Sequence, residues 1–162
     1  MTKLYTIGEL SQIFNAKTEK IKTNLLVHGF SIDSRTMNAG ELFFCIKGEN
    51  TDGHHYISQA LEKGACAVVA DPACIPEALR QSIFPRILVP DPNLALREWA
   101  ADIRKRFTGK VLAVTGSNGK TTTKEILAGL CRHFDPNAYA TPGNFNNFIG
   151  VPLTLLEATL DA

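Results

Sequence analysis

Apolar residues recur along the chain at two spacings, and each spacing predicts a different element. After the S/T-x-x-E capping box at Thr6 to Glu9, apolar residues three and four positions apart predict a short first helix. The same helical spacing predicts further helices over 56–64, 75–82, 91–109 and 121–133, and one that begins near Gly150. Short apolar runs flanked by turn residues predict strands at 27–32, 42–46, 66–70, 86–89, 111–114 and 138–140.

This alternation of strands and helices predicts an α/β fold in two modules. We expect residues 1–84 to form a small mixed α/β domain, followed in residues 85–162 by the beginning of a parallel-sheet, P-loop ATPase domain. The segments from 111 to 140 would form one β-α-β unit, which places ligands at the carboxyl ends of its strands. A parallel sheet normally has several strands and both faces covered, so we expect this second domain to be incomplete in the chain.

Candidate chemistry is concentrated in the loop between residues 115 and 122, whose sequence is Thr-Gly-Ser-Asn-Gly-Lys-Thr-Thr. Gly116 and Gly119 allow backbone N–H groups to converge on phosphate oxygens at a helix N-terminus. Lys120 adds a positive charge, and the Thr121 hydroxyl is suited to complete the shell of a Mg²⁺ ion. Because Val114 stands where the common P-loop has its first glycine, this loop is a variant of that motif. We predict that it binds the phosphates of a nucleotide through residues 116–122, that is, Gly116, Ser117, Asn118, Gly119, Lys120, Thr121 and Thr122.

A second polar loop begins at Thr141, directly after the predicted strand at 138–140. Its side chains at Thr141, Asn144 and Asn147 carry hydrogen-bonding groups without charge, which suit sugar hydroxyls, amides or phosphate oxygens. The alternative is a loop of turn-forming residues that leads into a helix. Its place at the same predicted sheet edge as the phosphate loop favours a binding role.

Composition narrows the function further. Of the 162 residues, 44% are hydrophobic and 20% are charged, and the net charge of +1 gives no field that would collect nucleic acid or anionic lipid. Without a signal-like segment or 18 consecutive apolar residues, we expect a cytoplasmic protein with no membrane insertion. The four cysteines and four histidines show no metal-ligand spacing, so we expect reduced thiols and no metal held by protein nitrogens. We also expect a monomer.

Taken together, these motifs resemble the Mur ligases, the ATP-dependent enzymes that build the peptidoglycan stem peptide. The resemblance rests on the loop at 115–122, on Thr-x-Gly-Asn-x-Asn-Asn-x-x-Gly-x-Pro-Leu from Thr141, and on N-terminal motifs around residues 33–35, 40–44 and 47–54. It covers the family's N-terminal domain and the start of its central domain. The resemblance implies catalytic roles for Lys120 and Thr121, with ATP and Mg²⁺ as cofactors. It also implies that UDP-sugar substrate contacts come from residues in both modules, namely Ser34, Arg35, Lys47, Asp52, His54, Thr141, Asn144 and Asn147.

Within the family, the pattern is most similar to the member that adds D-alanyl-D-alanine to UDP-N-acetylmuramoyl-tripeptide through an acyl phosphate. Two alternatives stay open, namely a sister ligase that adds the third stem residue and a nucleotide or UDP-sugar binding module without catalysis. The motifs that the resemblance implies beyond Ala162 would complete the active site, so we expect the 162-residue chain alone to be inactive. For Arg35, the alternative to substrate binding is a surface ion pair with Asp33.

Overall fold

The computed structural model describes residues 5–48, 51–143 and 148–158. These residues divide into two compact units, and the division falls between Glu98 and Trp99, inside a helix. The domain boundary predicted at residues 84 and 85 precedes this helix and stays a prediction.

The first unit alternates short strands with short helices. In chain order its elements are β1 (Tyr5–Thr6), α1 (Ile7–Ile13), β2 (Lys17–Glu19), β3 (Leu26–Val27), β4 (Phe30–Ser31), β5 (Leu42–Phe44), a 3-10 turn (Gly53–Tyr56), α2 (Ile57–Glu62), β6 (Ala67–Ala70), α3 (Glu77–Arg80), β7 (Arg86–Leu88) and the start of α4 (Pro92–Arg106). The helix that the capping box predicted is confirmed, because the Thr6 hydroxyl accepts the Glu9 N–H and the Glu9 carboxylate accepts the Thr6 N–H.

A mostly parallel five-stranded sheet forms the centre of this unit. Its strand order is β2-β7-β6-β5-β4, in which β4 to β7 are parallel neighbours and β2 runs antiparallel to β7. A separate two-stranded pair joins β1 to β3. Since β4 to β7 follow one another in both sequence and space, their carboxyl ends all meet at one edge of the sheet. The predicted α/β class with a parallel sheet is confirmed.

Two apolar layers cover the faces of the sheet. On one face, Phe43 and Val68 belong to a buried cluster with Ile57 of α2 and Ile75, which precedes α3. On the opposite face the ring of Phe44 meets Phe14 edge-to-face, with centroids 6.0 Å apart. Alternate residues of β5 therefore enter the two layers, as the pleat of a strand requires.

The second unit contains the end of α4, then α5 (Lys120–Phe134) and α6 (Gly150–Glu157). The strands predicted at 111–114 and 138–140 are wrong, because neither segment forms a ladder within the described residues. The physical reason is that a strand exists only through hydrogen bonds to a neighbour, and Val111 and Leu112 are 51% and 65% exposed instead of paired. Helix α5 is confirmed within one residue at each end.

No helix in the described part of the chain is both long enough and apolar enough to span a bilayer.

Candidate functional site

The predicted phosphate loop, residues 115–122 in the second unit, has the positive backbone φ angles that its two glycines allow. Gly116 has a φ of +153° and Gly119 a φ of +75°, values that other residues rarely adopt. An added Cβ on Gly119 would meet nothing within 4 Å, so the backbone angle and not crowding requires glycine there. Helix α5 begins directly after Gly119, and no side chain among the described residues caps it. Its first N–H groups therefore point outward as potential donors to an anion.

Lys120 lies over the loop that precedes it. Its Nζ donates to the carbonyl oxygen of Gly116 and, at 3.3 Å, to that of Ser117. The segment 116–119 is exposed, as are Thr121 and Thr122, while Lys120 is half-buried. The loop thus presents one ammonium, two threonine hydroxyls and a helix N-terminus at an accessible surface. These are groups that bind phosphate, and a hydroxyl oxygen is also a ligand that Mg²⁺ accepts.

Lys124 joins this loop to the second predicted one. Its Nζ donates to the carbonyl oxygens of Thr141 at 2.5 Å and Gly143 at 2.8 Å. The segment 141–143 therefore lies beside the first turns of α5. Asn144 and Asn147 lie outside the described residues. Lys124 was not singled out from the sequence, although its position one helical turn after Lys120 places both lysines on one side of α5.

In the first unit, the predicted site residues follow two adjacent parallel strands. Ser34 and Arg35 come after β4, while Lys47, Asp52 and His54 come after β5. Ser34 is buried and donates its hydroxyl to Gln59 Oε1 at 2.5 Å. This bond holds the 33–35 segment against α2. The structure thus brings these predicted residues to one edge of the sheet.

Arg35 forms an ion pair with Asp33, the contact that the sequence offered as the alternative to substrate binding. Its guanidinium donates to both carboxylate oxygens of Asp33, at 3.0 Å from Nε to Oδ1 and 2.7 Å from Nη2 to Oδ2. The hydrogen bonds from the Arg35 side chain and backbone N–H lower the pKa of Asp33 to about 2. The Arg35 side chain is nevertheless 79% exposed, so its cation remains accessible at the edge of the sheet.

Lys47 is anchored through its backbone. Its N–H donates to Asn93 Oδ1 at 3.2 Å and its carbonyl oxygen accepts Asn93 Nδ2 at 3.1 Å, which ties the start of this loop to the first turn of α4. The backbones of Lys47 and Asp52 also form an isolated antiparallel β-bridge across the loop. Because the backbone is held by both contacts, the exposed ammonium of Lys47 extends from a fixed base.

His54 lies inside the protein and links two loops. Its Nε2 accepts the N–H of Asp71 at 3.0 Å, so Nδ1 carries the ring proton and donates it to Asp52 Oδ1 at 2.5 Å. Burial raises the pKa of Asp52, but the hydrogen bonds from the His54 backbone and ring more than offset this effect and leave the pKa lowered. His54 is 2% exposed. The ring therefore joins the loop after β5 to the residue after β6 and does not face solvent.

Asp52, His54 and Cys74 present potential metal ligands within 4.8 Å of one another. Both ring nitrogens of His54 are already hydrogen-bonded, and burial together with the Asp71 carboxylate raises the pKa of the Cys74 thiol. A metal would have to break the bond to Asp52 or Asp71 and ionise that thiol. We therefore interpret the cluster as a structural hydrogen-bond network.

Comparison with known proteins identifies the family. The profile of the Mur ligase family catalytic domain matches residues 26–104, and that of the Mur ligase middle domain matches residues 114–162. The UDP-N-acetylmuramoyl-tripeptide–D-alanyl-D-alanine ligase of Haemophilus influenzae is 40% identical over 98% of this chain. The chain belongs to the Mur ligase family. This confirms the resemblance in the sequence motifs.

Solved Mur ligase structures share the fold. A crystal structure of MurF from Acinetobacter baumannii has a TM-score of 0.81 and 29% identity, covering 99% of this chain and 34% of its own. The MurF ligase of Thermotoga maritima, crystallised in complex with ADP, has a TM-score of 0.62 and 36% identity over 79% of this chain and 28% of its own. The chain thus spans about a third of the length of these relatives, and 34% of the Haemophilus enzyme.

Proposed function

We propose that these 162 residues provide the UDP-sugar-binding unit and the phosphate loop of an ATP-dependent ligase that adds D-alanyl-D-alanine to UDP-N-acetylmuramoyl-tripeptide. One observation supports this proposal most strongly, namely the glycine loop with positive φ angles. Lys120 donates to a carbonyl oxygen of this loop, and α5 begins directly after it without a side-chain cap. Relatives with the name of this activity match nearly the whole chain, and one related structure contains ADP. As part of this proposal, we assign the reaction to the cytoplasm.

The phosphate loop would hold the β- and γ-phosphates of ATP. The N–H groups of residues 116–122 donate to phosphate oxygens, and Lys120 exchanges its contacts with loop carbonyl oxygens for contacts with phosphate. The Thr121 hydroxyl would ligate Mg²⁺, which supplies charge neutralisation when bound. These residues would thus position the γ-phosphorus for attack and stabilise the charge of the leaving ADP.

Two bond exchanges complete the proposed reaction. A carboxylate oxygen of the tripeptide attacks the γ-phosphorus, the bond to the ADP oxygen breaks, and an acyl phosphate forms. The amine of D-alanyl-D-alanine then attacks the acyl carbon, phosphate leaves with the electron pair of the C–O bond, and the nitrogen loses a proton to give the amide. Proximity and charge neutralisation account for most of the rate gain in such a reaction. The 162-residue chain alone is expected to bind ligands without ligation.

The edge of the first unit would receive the UDP end of the sugar substrate. Arg35 and Lys47 are exposed cations on anchored backbone, which suits a diphosphate. Ser34 and His54 are buried, so we assign them to holding the loops in place, together with Asp52. Thr141 and the polar residues after it would contact the muramoyl or phosphate portion.

Nucleotide binding is tested by titrating the 162-residue chain with a fluorescent ATP analogue and Mg²⁺. Loss of a charge-assisted contact costs about 1.5–3 kcal/mol, so we expect Lys120→Ala to raise the Kd roughly 10- to 150-fold. Lys105→Ala removes an exposed lysine of α4 and serves as the matched control, with an unchanged Kd. Equal affinity of wild type and Lys120→Ala would refute the assignment of the loop.

Substrate binding is tested separately by calorimetry with UDP-N-acetylmuramoyl-tripeptide. We expect Arg35→Ala to weaken binding more at low salt than at high salt, because an exposed cation acts through a screened charge. Ser34→Ala removes the link to Gln59 and is expected to weaken binding with little change in salt dependence. If neither variant changes the affinity, the uridine diphosphate end does not bind at this edge.

A further inference from the structure

The ammonium of Lys124 is surrounded by three acceptors. It donates to Thr141 O at 2.5 Å and Gly143 O at 2.8 Å, and its Nζ lies 2.8 Å from Glu125 Oε1. A lysine ammonium has three N–H donors, so each donor has a partner. The side chain is 19% exposed, against 56% for Glu125. This lysine is therefore committed to internal contacts and not to solvent.

Two lysines one helical turn apart hold two different loops on α5. Lys120 contacts the carbonyl oxygens of Gly116 and Ser117, at the start of the phosphate loop, while Lys124 contacts those of residues 141 and 143. Pro142 lies between the two residues whose carbonyl groups Lys124 binds, and its ring fixes the φ angle in the middle of the 141–143 segment. Both loops are thus held by lysine side chains on the first two turns of α5.

We propose that Lys124 is a positioning residue that fixes the 141–143 segment relative to the phosphate loop, so that phosphate binding at one loop is transmitted to the other. This inference rests on the proposed nucleotide binding. Phosphate would draw Lys120 away from Gly116 and Ser117, and the first turn of α5 would adjust with it. Lys124 on the next turn carries that adjustment to residues 141–143, because its hydrogen bonds are charge-assisted.

The test uses NMR spectroscopy of the ¹⁵N-labelled 162-residue chain, with ATP and Mg²⁺ as the probe. In wild type we expect backbone order parameters near 0.85 at Thr141 and Gly143, and below about 0.6 in Lys124→Met, whose unbranched side chain is one atom shorter and has no N–H donor. Adding ATP is expected to shift the amide signals of Gly116, Gly119, Thr141 and Gly143 in wild type. In Lys124→Met the shifts at the two phosphate-loop glycines remain and those at Thr141 and Gly143 are lost.

Controls separate positioning from general stability. Lys105→Met should behave as wild type at all four amides, and the melting temperature reports whether Lys124→Met is folded. If Lys124→Met does not fold, Lys124→Gln, which keeps N–H donors on a shorter side chain, is expected to give intermediate order parameters. Unchanged order at Thr141 and Gly143 in the folded variant overturns the inference. If wild type shows no shift at Gly116 and Gly119, the proposed nucleotide binding fails, and the order parameters still decide the structural part.

Discussion

The bidentate pair of Asp33 and Arg35 is a single-residue feature with a measurable titration. Hydrogen bonds from Arg35 lower the pKa of Asp33 to about 2. Because the folded-state pKa lies below the unfolded value near 4, the pair stabilises the fold above about pH 4 and loses that contribution as the pH falls toward 2. The pair is partly exposed, so the effect on the free energy of unfolding is small.

Arg35→Ala is therefore expected to raise the pKa of Asp33 toward its usual value near 3.8. Carboxyl ¹³C NMR across pH 1.5 to 6 would measure this change. Arg97→Ala, which removes an arginine on α4, is the control and should leave the Asp33 titration unaltered. A pKa that stays near 2 in Arg35→Ala would show that the backbone N–H of residue 35 alone is responsible.

At the scale of elements, the 3-10 turn and the residues directly after strand β5 lie too close together to leave room for a side chain between them. An added Cβ on Gly53 would lie 2.8 Å from Cys45 Cα and 2.8 Å from Ile46 N, both backbone atoms that cannot move aside. The Gly53 N–H also donates to Ile46 O at 2.9 Å, which fixes this approach. The turn that carries Asp52 and His54 is thus held against the end of the strand by a glycine.

We expect Gly53→Ala to lower the free energy of unfolding by roughly 1–3 kcal/mol, the usual cost of overpacking. Urea denaturation followed by circular dichroism measures it. Gly48→Ala in the same loop is the matched control, since a Cβ there would only touch Thr51 at ordinary distances, 3.5 Å and more. Equal stability of the two variants would mean that the turn can shift away from β5 at little cost.

Elements with a complete local signal were the ones that the sequence predicted well. The capping box before α1, the proline that starts α4 and the glycines before α5 each act within a few residues, and all three helices are present. Strand β2 was not predicted, because its partner β7 lies far along the chain and its three residues carry no apolar run. The segment 111–114 has an apolar run but no partner strand among the described residues. The apolar pattern by itself therefore gave a wrong prediction.

In the candidate sites, too, local features were predicted from the sequence and contacts between distant residues were not. The positive φ angles of Gly116 and Gly119 follow from local motif chemistry. The contacts of Ser34 with Gln59 and of Lys124 with residues 141 and 143 depend on tertiary packing, which no spacing in the sequence reports. His54 was predicted as a substrate contact, yet the bonds that bury it became visible only in three dimensions.

At the scale of the whole molecule, helix α5 carries a row of exposed apolar side chains. Ile126, Leu130 and Phe134 recur every four residues and are 60%, 55% and 83% exposed. Such a spacing places them in one row on the helix, whereas Ile83 is an 80% exposed apolar side chain of the first unit that lies outside this row. A continuous row binds apolar probes far better than isolated side chains.

We therefore expect the 162-residue chain to enhance the fluorescence of the dye ANS, and Leu130→Gln with Phe134→Gln to reduce that enhancement by about half or more, because two of three apolar side chains in the row are lost. Ile83→Gln removes an equally exposed residue outside the row and should leave the signal almost unchanged. Sedimentation velocity of the same samples tests the expected monomer, since a row of this kind can also join two chains. A dye signal that falls equally in all variants would mean that the row is not a binding surface, because separate apolar side chains would then account for the whole effect.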